Sequence, residues 1–131
     1  MSYDLMVFDP AAAPRERAAF MDWYDVQTEW AEAHDYSDPA VTTSALRAWF
    51  MEMIKTFPAL SGPYAVADDE DAEEDGRYCE YCIGKVVIYA SFAWSQQAAA
   101  YQTMRELAIR HGVGFFDVSG DVETSEIRFP A

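Results

Sequence analysis

Cys79 and Cys82 have the C-x-x-C spacing that metal sites and dithiol redox centres use. A redox cysteine needs a helix N-terminus to lower its pKa, but both cysteines lie in a stretch of strand composition. Residues three apart in a strand point to opposite faces. A zinc site would need further ligands, and His34 and His111 are the only histidines. We therefore predict buried structural thiols, no metal site and no cofactor.

The segment 68–75 is acidic at every position except Ala72. Its acidic residues are Asp68, Asp69, Glu70, Asp71, Glu73, Glu74 and Asp75. Mutual repulsion and the lack of apolar anchors predict a mobile acidic loop at about residues 66–76. Part of the run fits a calcium-loop frame, but Glu74 stands where that loop needs glycine. On charge alone, we predict that this run contacts a partner.

A second candidate site combines Gln27 and His34 with aromatic neighbours. The apolar spacing predicts an amphipathic helix from residue 15 to about 33, with Gln27 and His34 two turns apart on its apolar stripe. With Trp23 and Trp30 they could line a pocket in which His34 moves a proton or Gln27 orients a ligand. The alternative is structural, because polar groups at the edge of an aromatic core usually bond to a carbonyl or a carboxylate.

Asp9 and Asp117 could form a carboxylate pair on neighbouring strands, and such pairs can raise one pKa for acid/base work. The alternative is that each aspartate caps a loop at a strand end. The sequence has no nucleophile elbow, phosphate-binding glycine loop, dinucleotide fingerprint or H-E-x-x-H motif. It therefore favours a non-catalytic protein and leaves an enzymatic role open.

The run 85–94 is apolar on both alternating faces, which predicts a strand in mid-sheet. Further strands are predicted at 3–9, 78–83, 113–118 and 125–129, and helices at 15–33, 44–57 and 96–111. This order predicts an α+β fold, a mostly antiparallel sheet of about five strands with three helices, as a ferredoxin-like sandwich with additions. The helices would share one face. The other, with Val87, Tyr89 and Ser91, would be open or covered by a partner.

Length and charge restrict the classes of partner. The 131 residues fit a single domain, 1–131, and the sequence has neither a long apolar run nor a basic leader, so we expect a cytoplasmic protein. The 23 acidic and 9 basic side chains give a net charge of −14, which repels nucleic acid and anionic membranes. A basic protein partner is the expectation, and a role in solubility alone is the alternative.

In size, acidity and strand–helix order the chain resembles the small acidic α+β proteins that bacteria make as immunity proteins against polymorphic toxins. Such proteins often plug the positively charged cleft of a nuclease-type toxin. The resemblance implies a non-catalytic protein-binding module that neutralises a basic toxin or enzyme. It includes no motif, so it assigns no binding residue. Two alternatives remain: a small-molecule-binding protein or enzyme using the pocket above, and a domain that dimerises through Tyr81 and Tyr89 on an open sheet face.

Overall fold

The computed structural model describes residues 2–65, 76–121 and 123–130. In these ranges the elements are β1 (Tyr3–Phe8), α1 (Arg17–Gln27), a 3₁₀ turn (Pro39–Val41), α2 (Ser44–Met53), β2 (Glu80–Ile83), β3 (Val87–Phe92), a second 3₁₀ turn (Trp94–Gln96), α3 (Gln97–His111), β4 (Gly114–Phe116) and β5 (Ile127–Arg128). The predicted α+β class, with three helices and a five-stranded antiparallel sheet, is confirmed. The acidic run from Asp68 to Asp75 lies outside the described residues.

The strand order is β2-β3-β1-β4-β5, and every neighbouring pair is antiparallel. β1 pairs with β3 along its whole length, from Tyr3 opposite Phe92 to Phe8 opposite Val87. β3 therefore lies inside the sheet, as its two apolar faces predict. The ferredoxin-like detail is not confirmed and stays a prediction.

One face of the sheet packs against α2 and α3. Leu5, Val7, Ile88 and Ala90 project into this core from β1 and β3, and each is fully buried. Trp49 of α2 fills the space between the helices, and its indole N–H donates to the carbonyl of Met104 at 3.4 Å. α2 begins where the Thr43 hydroxyl accepts the N–H of Leu46 at 3.2 Å. This side is the larger core of the molecule.

α1 covers the opposite face, so the prediction that all helices share one face is wrong. Phe20 of α1 is fully buried, and its ring centroid lies 5.1 Å from that of Phe8 and 5.1 Å from that of Phe116. Val87 is buried in the same cluster, and Tyr89 packs against it. This face of the sheet carries large apolar side chains whose exposure to water would be unfavourable. The aromatic stripe of α1 buries them. The dimer interface predicted through an open sheet face is therefore not available, because α1 occupies that face.

A substitution at Tyr81 tests the packing on the side of the sheet that faces α2. Its side chain is buried, its ring lies 5.1 Å from that of Phe50, and its hydroxyl donates to the Phe57 carbonyl at 2.8 Å. Tyr81→Phe removes the donor from a buried carbonyl, so we expect the free energy of unfolding to fall by about 1–3 kcal/mol in urea denaturation. Tyr64→Phe, at an exposed ring, is the matched control and should change it by less than about 0.5 kcal/mol. Equal values for the two variants would contradict the buried bond.

Candidate partner-binding site

A pocket of about 200 Å³ lies where α1 ends. The residues that line it are Val26, Gln27, Glu29, Ala31 and Glu32. At this end the Thr28 hydroxyl and backbone N–H both bond back to the Tyr24 carbonyl, each at 3.0 Å. Trp30 then adopts a positive φ of 53°, which turns the chain out of the helical path. The pocket is thus formed by the last turn of the helix and the reversal that follows.

The segment after the helix is held against the β2–β3 turn by backbone bonds. The Tyr36 hydroxyl accepts the N–H of Glu32 at 2.6 Å and donates to the Glu32 carbonyl at 3.2 Å. The N–H of Ile83 donates to the Tyr36 carbonyl at 2.7 Å, and the N–H of Lys85 donates to the Glu32 carboxylate at 3.1 Å. Glu32 therefore joins the pocket wall to the sheet.

Aromatic contacts anchor the same segment on the α1 side of the sheet. The Trp30 ring centroid lies 5.2 Å from that of Tyr36 and 6.1 Å from that of Tyr89. The Tyr89 hydroxyl in turn donates to the Asp4 carboxylate at 2.6 Å, and burial raises the pKa of Tyr89. Trp30 is thus packed against the α1 side of the sheet.

His34 lies between two acceptors. Its Nε2 bonds to the Glu32 carboxylate, and its Nδ1 lies 3.1 Å from the carbonyl oxygen of Asp35. The bond to Glu32, followed by the bond to Asp35, raises the pKa of His34. The side chain is only 15% exposed. This matches the structural alternative for His34, a polar group bonded at the edge of an aromatic core.

The charge near the pocket is negative. Asp22 and Asp25 on α1 and Glu29 just beyond it are exposed, and Val26 between them is 59% exposed. We name these four residues the α1 acidic face. The spacing of Asp22, Asp25 and Val26 places them on one side of the helix, and Glu29 lies in the turn that follows it. A helical projection of the sequence would have revealed this stripe, whereas no sequence signal marks Glu32 as part of the pocket.

Several arginines are occupied in contacts within the chain. Arg47 donates to three backbone carbonyls between residues 39 and 42, each at 3.2 Å. Arg105 forms a bidentate salt bridge with the Glu126 carboxylate at 2.9 and 3.1 Å, and Arg110 donates to the Glu52 carboxylate at 2.7 Å. These cations stabilise loops and helix contacts, so they do little to neutralise the α1 acidic face.

The residues of the predicted aromatic pocket separate in the structure. Gln27 lines the pocket, whereas Trp23 packs into the core at 5.9 Å from Phe8 and 5.5 Å from Phe20. α1 ends at Gln27, so the prediction that Gln27 and His34 share a helix face is wrong. The aromatic spacing continues to Trp30, but the positive φ of Trp30 does not fit a helix, so the helix ends before it. The partner-binding role predicted for Asp68 to Asp75 concerns residues outside the described ranges.

The two cysteines lie apart. Cys79 is fully buried on the α2 side, and Cys82 is half-buried opposite Tyr89. Burial raises the pKa of both thiols. His34 bonds to Glu32, and His111 lies 3.1 Å from Glu52. Over residues 2–65, 76–121 and 123–130, no group of three or more His, Cys, Asp or Glu side chains could hold a metal ion.

Asp9 and Asp117 do not form the predicted pair. Phe8 lies opposite Gly114 and Met6 opposite Phe116, so the two aspartates follow opposite ends of the β1–β4 pairing. The Asp9 carboxylate accepts the N–H of Ala11 at 3.0 Å, as expected for a loop cap. Burial raises the pKa of Asp117. Antiparallel pairing is the reason for the separation, since it places the ends of successive strands at opposite edges.

None of the described helices is long and apolar enough to cross a membrane. The chain matches no family model, and no match to it was found among curated proteins or solved structures.

Proposed function

We propose that this protein is a non-catalytic module that binds a basic protein through the α1 acidic face and the adjoining pocket. One observation carries the proposal: a pocket of about 200 Å³, which Glu29 and Glu32 help to line, lies at the end of the helix that exposes Asp22, Asp25 and Val26. A cleft for a small organic ligand usually has about 300–1,000 Å³. The smaller volume suits a single side chain and is the reason for preferring this function to small-molecule binding.

A lysine or arginine side chain matches the chemistry of the pocket. Its methylene stem would lie on Val26 and Ala31, and its charged head would reach Glu29. The net charge of −14 would attract such a partner over longer distances and speed its association at low salt. We therefore expect the partner to present a basic surface with at least one protruding cationic side chain.

The resemblance to immunity proteins suggests what the interaction accomplishes. A basic toxin of the nuclease type has a positive cleft that must stay open for its anionic substrate. An acidic protein that occupies this cleft blocks the substrate without any chemistry of its own. In this proposal the protein acts in the bacterial cytoplasm, and the acidic run from Asp68 to Asp75 supplies a second contact on the basis of charge.

The test first asks whether a neighbouring gene encodes a basic toxin-like protein, and then follows binding to that protein on a biosensor at about 50 and 300 mM salt. The variant Asp22→Asn/Asp25→Asn/Glu29→Gln should bind about tenfold more weakly at low salt, mostly through slower association. High salt should remove most of this difference, because it screens exposed charges.

The matched control is Glu106→Gln/Asp121→Asn/Glu123→Gln, which removes the same charge from exposed positions elsewhere. It should keep most of the wild-type affinity. An equal loss in both variants would mean that net charge alone drives binding, which contradicts a role for the α1 acidic face. Failure of the wild type to bind the toxin-like protein at low salt would overturn the proposed function.

A further inference from the structure

Both ring nitrogens of His34 face oxygen atoms that can only accept. Nε2 meets the carboxylate of Glu32, and Nδ1 meets the backbone carbonyl of Asp35 at 3.1 Å. A neutral imidazole has one N–H and one lone pair, so either tautomer would direct a lone pair at an oxygen. Only the imidazolium donates to both partners. The local geometry therefore selects the protonated ring.

The other groups around the ring define its electrostatic surroundings. The Tyr36 ring centroid lies 4.6 Å from that of His34 and is neutral. The Asp35 carboxylate is held by the backbone and hydroxyl of Ser37 at 2.9 and 2.7 Å, and its charge favours the imidazolium. The Lys85 cation, on the β2–β3 turn, acts in the opposite direction. The bond to Glu32 is the largest of these effects, and it raises the pKa of His34.

Glu32 connects this ring to two other parts of the molecule. The same carboxylate oxygen that meets His34 also accepts the backbone N–H of Lys85 at 3.1 Å. Glu32 also forms part of the pocket wall. A change in the protonation of His34 would thus affect both the pocket and the β2–β3 turn.

We propose that Glu32, His34 and the Lys85 amide form a proton-operated latch that fixes the pocket wall at the end of α1. We name these three groups the Glu32 latch. When His34 loses its proton, one of its two bonds must be replaced by a bond to water. The ring then leaves its position, Glu32 is released, and the segment from Trp30 to Tyr36 loosens against the sheet.

The direction of the pH dependence follows from the raised pKa of His34. The latch contributes its full stabilisation below the ordinary histidine pKa, and this contribution is lost as the pH rises through the raised value. The pocket wall is therefore fixed below the His34 midpoint and released above it. The latch depends on contacts within the chain, so it stands whether or not the proposed partner is correct.

Nuclear magnetic resonance on the full chain tests the latch without a partner. In the wild type, nitrogen-detected spectra should show both ring nitrogens of His34 protonated up to a midpoint above the ordinary histidine pKa. His111→Gln identifies the His34 signals by removing the other histidine. As the pH rises through the His34 midpoint, the chemical shift of the Lys85 amide should change. Its hydrogen exchange rate should increase about tenfold more than the intrinsic increase of exchange with pH. The Trp30 indole signal should follow the same midpoint.

Glu32→Gln and Glu29→Gln form the matched pair of variants, since both remove one carboxylate from the pocket but only Glu32 bonds to His34. Glu32→Gln should move the His34 midpoint down toward its ordinary value, and Glu29→Gln should leave it near the wild-type midpoint. A His34 midpoint at or below the ordinary histidine value in the wild type would overturn the latch. The latch would also be overturned if the Lys85 and Trp30 signals did not change as His34 titrates.

Discussion

Phe20→Ala is expected to lower the free energy of unfolding by about 3–5 kcal/mol, the usual cost of removing a buried phenylalanine. The ring is fully buried and is the central contact between α1 and the sheet, with Phe8 at 5.1 Å and Phe116 at 5.1 Å. Natural domains are stable by only about 5–15 kcal/mol, so the variant should be close to unfolding. Urea denaturation with the slope held constant measures the loss.

The control for this prediction is Val26→Ala, on the same helix but with a side chain that is 59% exposed. Its effect should stay within about 0.5 kcal/mol. If Phe20→Ala cost as little as the control, α1 would not be the element that covers this face of the sheet. The two variants therefore separate the buried stripe of α1 from the surface proposed to meet a partner.

Gly114→Ala is expected to destabilise the protein by about 1–3 kcal/mol or more, through overpacking. A Cβ atom at this position would lie 2.2 Å from the Phe8 ring. That ring cannot move aside freely, because it is fully buried and packs at 5.1 Å from Phe20 and 5.2 Å from Phe129. Chemical denaturation of the purified variant gives the loss directly.

A second change shows whether this mechanism is correct. Phe8→Leu removes the ring atoms that the new methyl group would meet, so Gly114→Ala should cost less in the Phe8→Leu background than in the wild type. Gly112 is the contrasting glycine, since a Cβ there would meet no atom within 4 Å but its φ of 68° disfavours other residues. Gly112→Ala should therefore show no rescue by Phe8→Leu. An equal cost of Gly114→Ala in both backgrounds would contradict the steric explanation.

Sequence patterns predicted the candidate site only in part. The spacing of Asp22, Asp25 and Glu29 is a local pattern that a helical projection can find, and Gln27, a candidate pocket residue from the sequence, lines the pocket in the structure. The pocket itself could not be found in this way. Its wall depends on the bond between Glu32 and the Lys85 amide, which joins residues far apart in the chain.

The sequence by itself determined the class of fold and the central strand. Alternation on both faces of residues 85–94 requires neighbours on each side, and that requirement is local chemistry that any fold must satisfy. Hydrophobic periodicity likewise determined that α1 exists and that Phe20 and Trp23 lie on its buried stripe. Only the tertiary structure decided which face of the sheet α1 covers and where the helix ends. Those outcomes depend on the large side chains of Phe8 and Phe116, which are brought together by strand pairing, and on loop contacts that periodicity does not encode.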